Sequence, residues 1–124
     1  MSRHTVKLHG VVVGYSELET AEPALGRARG RFRPGVGYDL VQPIFHLFVE
    51  AVPQPGAAVT DADKLDRYHR SRDALGLLLE DDAGRPIRTS AIHISDYSER
   101  RGGVIELEVL ISDPGYWASR RDDG

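Results

Sequence analysis

Arg27, Arg29, Arg31 and Arg33 occupy every second position of one short segment. A β-strand sends successive side chains to opposite faces, so this spacing places four guanidinium groups on one side. Ala28, Gly30 and Phe32 then turn the other way, toward a core. A ridge of this kind suits planar, bidentate contact with carboxylates, and arginine is favoured in protein interfaces. Tyr15 can lie beside it on a neighbouring strand. A second group sits in the run Ile92-His93-Ile94-Ser95-Asp96-Tyr97, where an imidazole, a carboxylate and a phenol could line a small pocket and move protons.

Other chemistries have weaker footing. The histidines His4, His9, His46, His69 and His93 include no helical i, i+4 pair. A two-histidine, one-carboxylate metal site would need His9 to converge with His93 and Asp96, so the sequence predicts no metal and no cofactor. There is no Gly-x-Ser-x-Gly elbow. His93 could orient against Asp96 and activate Ser95 or Ser98, but adjacent strand residues face apart, and Asp96 equally suits a turn where it bonds its own downstream backbone. The glycine-rich stretch Gly26–Gly37 precedes a helix yet lacks a Gly-Lys-Ser/Thr ending, so it reads as a strand-to-helix turn. Glu80-Asp81-Asp82 and Glu106/Glu108 fit a solvated turn and a wet strand face.

Composition narrows the partner. The 124 residues carry 40% hydrophobic and 28% charged side chains and a net charge of −3, ordinary values for one folded domain spanning 1–124. The negative balance argues against bulk attraction to nucleic acid or an anionic membrane. No cysteine is present, which removes disulfides and thiolate chemistry together. Val11-Val12-Val13 is too short for a secretory apolar region, and no stretch approaches the ~20 apolar residues that span a bilayer. A cytoplasmic location is the expectation.

The elements that must hold these residues follow from periodicity. Thr5–Glu19 alternates as a strand with Val6, Leu8, Val12 and Leu18 on one face. Thr20–Gly26 reads as a loop, and the arginine strand follows until Pro34-Gly35. Symmetric pairing about that loop sets Glu19 against Arg27, Glu17 against Arg29 and Tyr15 against Arg31, with Phe32 filling the space beside Gly14. On this register the ridge is a salt-bridged hairpin face or a binding surface, and both readings stand.

Asp39–Val52 predicts an amphipathic helix capped by Asp39, with Leu40, Val41, Ile44, Leu47, Phe48 and Ala51 as its apolar stripe. A more polar helix, from Thr60 or Asp61 to about Arg72, rides on the surface with Leu65 and Tyr68 on a narrow inner edge. Leu75–Glu80, Ile87–Ser95 and Val104–Ile111 form a three-stranded meander, with Leu107 and Val109 inward and Glu106 and Glu108 outward. Tyr116-Trp117 plugs the sheet, and from about residue 118 the chain frays. The order β-β-α-α-β-β-β predicts an α+β fold: an antiparallel-rich sheet of about five strands with one main amphipathic helix packed on one face.

The functional expectation is a small, non-enzymatic protein-binding domain. It would act as an adaptor, a regulator or a toxin-neutralising, immunity-type protein, meeting an acidic protein surface through Arg27, Arg29, Arg31, Arg33 and Tyr15. The alternative is a small enzyme or ligand-binding domain with a pocket at His93, Asp96 and Tyr97. Self-association stays open.

Overall fold

The computed structural model describes residues 3–53, 56–98 and 103–122, with side chains to residue 118. Eight strands and three α-helices are present among them: β1 (His4–Leu8), β2 (Val11–Ser16), β3 (Thr20–Glu22), β4 (Arg27–Pro34), α1 (Tyr38–Ala51), α2 (Ala62–Leu75), β5 (Leu78–Glu80), β6 (Pro86–Ile87), β7 (Thr89–Asp96), β8 (Ile105–Ile111) and α3 (Pro114–Asp122). The strands form one antiparallel sheet in the order β6-β5-β1-β2-β4-β8-β7, with β3 added beside β4.

The two ends of that order, β6 and β7, are separated by Arg88 alone. A sheet whose opposite edges are joined by one residue must curl until they nearly meet, so the architecture is a nearly closed barrel. This corrects the expectation of five strands with one helix on one face. It also undoes the meander. β5 pairs with β1 and β6, β7 pairs with β8, and the apparent strand Ile87–Ser95 breaks at Arg88 between opposite edges.

The N-terminal apolar run is likewise two strands. His9 and Gly10 both take positive φ, 48° and 84°, which is the backbone of a two-residue hairpin turn. Leu8 then faces Val11. Farther on, β2 and β3 share one edge of β4 but differ in register by one residue: Ser16 faces Phe32, while Thr20 faces Arg29. The extra residue is taken up around Leu18, which has φ 46° and a fully buried side chain. Gly30 makes this possible, because a Cβ there would sit 2.7 Å from the Leu18 Cα.

The register expected from a symmetric loop is therefore corrected. Tyr15 faces Arg33 rather than Arg31, and Glu22, not Glu19, faces Arg27. Phe32 does lie over Gly14, as expected, but diagonally, since Gly14 itself faces Pro34.

Inward positions of the barrel (Val6, Val13, Ala28, Phe32, Ile94, Leu107, Val109) form one cluster with Tyr38, Val41 and Phe45 of α1 and with Tyr68 of α2. Helix α1 touches both β2 and β7, and α2 packs on α1 and reaches β7, where both helices meet the His93 side chain. The α1 stripe is rotated from the expected one. Phe45 and Val49 are buried while Leu40 is 63% exposed. Gly37 rather than Asp39 precedes the first turn, and no side chain caps it. Asp61 caps α2 by accepting from the Lys64 N–H at 3.0 Å. The expected frayed tail is helical through Asp122, and Trp117 is buried with its Nε1–H donating to the Ile111 carbonyl at 3.0 Å.

Leu107 is fully buried at the centre of β8. Leu107→Ala should cost about 2–5 kcal/mol in chemical denaturation, as truncation of a packed leucine does. Gly30→Ala should cost about 1–3 kcal/mol, because the bulge backbone must retreat. A neutral Gly30→Ala would show that the Leu18 bulge is not pressed against β4.

Candidate functional site

The outer surface of β4, β8 and β7 is a lattice of polar side chains set by register. Arg29 faces Glu108, which faces His93; Arg31 faces Glu106, which faces Ser95. Residues directly opposite across antiparallel strands share a face. The arginines, the two glutamates, His93 and Ser95 therefore lie on one side, and Ala28, Phe32, Leu107, Val109, Ile92 and Ile94 are buried on the other.

The arginine ridge divides into two halves. Arg27 makes paired contacts with Glu22 at 2.9 and 3.1 Å and reaches Glu108 at 3.9 Å. Arg29 reaches Glu22 at 3.3 Å. The Arg27 hydrogen bond holds the Glu22 carboxyl below the usual carboxylate range. Solvent screens such exposed pairs and they add little to stability, but they occupy the two guanidinium groups. Arg31 and Arg33 are exposed and have no ion pair among the described residues. Glu19, the nearest acid along the bulge, instead accepts from the Arg31 backbone N–H at 3.0 Å. Tyr15, across from Arg33, carries the Arg3 guanidinium 4.4 Å above its ring.

His93, Asp96 and Tyr97 do not converge. Alternation sends His93 to the face that meets the helices, where Phe48 packs at 4.4 Å between ring centroids. His93 Nδ1 bonds the Tyr68 hydroxyl, and its Nε2 lies 2.8 Å from Ser95 Oγ. Asp96 accepts from Tyr38 OH and from Ser98 Oγ, both at 2.5 Å, and from the Ser98 backbone N–H at 3.0 Å. It is thus a turn-forming aspartate that also ties α1 to β7. Burial opposes its ionisation, but the Ser98 and Tyr38 hydrogen bonds outweigh that and hold its carboxyl below the usual range. Tyr97 donates to the Val52 carbonyl at 2.7 Å.

The Ser95–His93–Tyr68 chain was legible only in part. Positions 93 and 95 share a strand face, which alternation alone implies, whereas Tyr68 arrives from a distant helix. Burial, with Arg72 and His69 adding positive charge nearby, pushes the His93 pKa down to about 4. A neutral imidazole has one N–H, so one of its two bonds is donated and one accepted. Burial pushes the Tyr68 phenol above its usual range, and Arg72 works in the opposite direction. The Arg72 charge beside the phenol favours a Tyr68 O–H aimed at Nδ1, with Nε2–H donated to Ser95. In that tautomer the Ser95 hydroxyl accepts from His93 and is not activated as a nucleophile.

The geometry is that of a partly buried latch between α2 and β7. One cleft of about 520 Å³ lies beside Trp117 and Pro114 and another of about 230 Å³ between Arg72 and Ser90; neither has His93 or Asp96 in its walls. Among the described residues no group of three or more His, Asp or Glu is placed to hold a metal, and no helix is long and apolar enough to cross a membrane.

The latch makes stability pH-dependent. In the unfolded chain His93 titrates near its usual 6.5, in the folded protein near about 4. Between these values the unfolded chain binds the extra proton, so this contribution is complete above about pH 6.5 and is lost as pH falls toward 4. At about 1.4 kcal/mol per pKa unit the full effect is roughly 3 kcal/mol. The groups around the ring are Tyr68, Arg72 and His69 of α2, Phe48 of α1, and Ser95 and Glu108 of the sheet. Urea denaturation from pH 7 to pH 4 should show a steeper loss for wild type than for His93→Gln; equal slopes would place His93 outside the linkage.

Comparison with protein-family models, with curated proteins and with solved structures finds no match for this chain.

Proposed function

We propose that this protein is a small protein-binding domain, an adaptor, regulator or inhibitor, that meets an acidic protein surface through the C-terminal half of β4. The observation that carries this reading is the division of the ridge. Arg27 and Arg29 are occupied by Glu22 and Glu108, while Arg31 and Arg33 stand exposed with no carboxylate paired to them among the described residues. A ridge serving only as a solvated hairpin face would gain from pairing all four. Arg3 and Tyr15 extend the free half sideways with an aromatic ring and a third guanidinium. Arginine and tyrosine are the side chains most often found at energetic centres of interfaces. With a net charge of −3, attraction at this patch is local and favours a partner of matching shape and charge over bulk polyanions.

The test uses the partner recovered from the native host on the full-length protein, then purified. Arg31→Glu with Arg33→Glu should reduce its affinity at least tenfold while the melting temperature stays within about 2 °C, since neither side chain has an ion pair among the described residues. Wild-type binding should weaken between about 0.05 and 0.5 M salt, as exposed charges are screened. A double variant that binds like wild type would remove this surface from the function.

A further inference from the structure

We infer that the Gly35–Tyr38 turn is a preformed apolar plug that enters a cleft on the partner protein, a cleft with an apolar floor and a carboxylate rim. This rests on the acidic-partner reading above and adds what lies at the centre of the contact. Val36 is 91% exposed, the highest value of any large hydrophobic among the described residues. Leu40, 63% exposed, and Val11, 39% exposed, flank it. All three gather around Gly37: the Leu40 N–H donates to its carbonyl at 3.1 Å, and a Cβ on Gly37 would sit 2.7 Å from Val11 Cγ1. Single exposed apolar residues are commonplace, but here three lie close along the backbone of one turn, which follows the strand carrying Arg31 and Arg33, two arginines with no ion pair among the described residues.

The turn is held rigidly in a shape that serves no packing purpose for Val36 itself. The Gly35 N–H donates to the Val13 carbonyl at 2.7 Å, and the Gly37 N–H donates to the Val12 carbonyl at 2.8 Å. The Tyr38 N–H closes the turn on the Gly35 carbonyl at 3.2 Å. A Cβ on Gly37 would meet the Val12 carbonyl oxygen at 2.7 Å, so only glycine lets the turn lie this close to β2. Tyr38 then anchors the far side through Asp96 and the Phe32 ring. A loop braced in this way loses little conformational freedom on binding, which is what preorganised inhibitor and recognition loops exploit. Because Val36 protrudes, its counterpart must be concave. Arg31 and Arg33 stand exposed on the strand that runs into this turn, and the exposed Asp39 follows it, so the charge complementarity to an acidic rim comes from the β4 side of the plug.

The chain has no cysteine, so a single introduced thiol is a unique handle. Val36→Cys labelled with a benzophenone maleimide should photo-crosslink the purified partner, at peptides containing apolar residues and Asp or Glu. Ala83→Cys, at the exposed tip of the β5–β6 turn, should not. Val36→Asp should lower affinity at least tenfold, with Val36→Ala intermediate and both melting like wild type. If Arg31→Glu with Arg33→Glu abolishes binding while Val36→Asp and the crosslink have no effect, the plug is overturned and the arginine surface survives. If neither set matters, both fall. A crosslink to a second copy of this chain, to nucleic acid, or to nothing at all also overturns the plug.

Discussion

Strand β4 is shared by two half-sheets, and that sharing depends on the close approach of the Leu18 backbone to Gly30. One edge of β4 must accept β2 over Phe32–Pro34 and β3 over Arg27–Arg29, while its other edge pairs with β8 over Arg27–Arg31. The chain between β2 and β3 carries one residue too many for a continuous ladder. Placing it at Leu18, with the side chain in the core and the backbone against a residue without a Cβ, lets the sheet bend there. Such a bend suits the curl that brings β6 and β7 within one residue of each other. A curled sheet then has an inside, lined by apolar side chains, and an outside, which holds the charges.

The same register decides the electrostatics. Because the bulge shifts the pairing by one residue, Glu22 rather than Ala21 meets Arg27, and Glu108 approaches from the other side. Two arginines are thereby neutralised at one end of β4, and Glu19 is turned to a backbone N–H. The other end, next to the Gly35–Tyr38 turn, keeps its positive charge. Farther round, Glu108 is followed by His93, but there α1 and α2 cover the sheet and desolvation dominates. The histidine is kept neutral and serves as a joint. One polar lattice thus yields an internally paired zone, a free cationic zone and a partly buried latch.

Helix α2 shows why the latch was hard to foresee. Its exposed face is dense with charge, including the Asp66–Arg70 pair at 2.9 Å, and its sequence reads as a surface helix. Yet Tyr68 is fully buried and touches Phe45, Phe48 and His93. One aromatic on a polar helix carries almost no periodic signal, so its importance depends on what lies opposite. In α1 the opposite problem arose. Apolar residues nearly encircle the helix, so several stripes fit its sequence, and the concave sheet selected the one through Tyr38, Val41, Phe45 and Val49.

What the sequence determined by itself is local and periodic. Alternation placed Ala28, Gly30 and Phe32 inward under four outward arginines, and set Leu107 and Val109 against Glu106 and Glu108; the structure agrees. Helical spacing located α1 and α2 within a few residues, and Asp96 as a turn former followed from its chemistry. Strand number, pairing order and the barrel came only with the tertiary structure. Short strands such as β3, β5 and β6 have too few residues for alternation to register, and a strand crossing from one sheet edge to the other at Arg88 looks continuous in one dimension. Which arginines are free and which are paired likewise depends on a one-residue shift at Leu18. Contacts between residues far apart in the chain set that shift, and no local pattern encodes it.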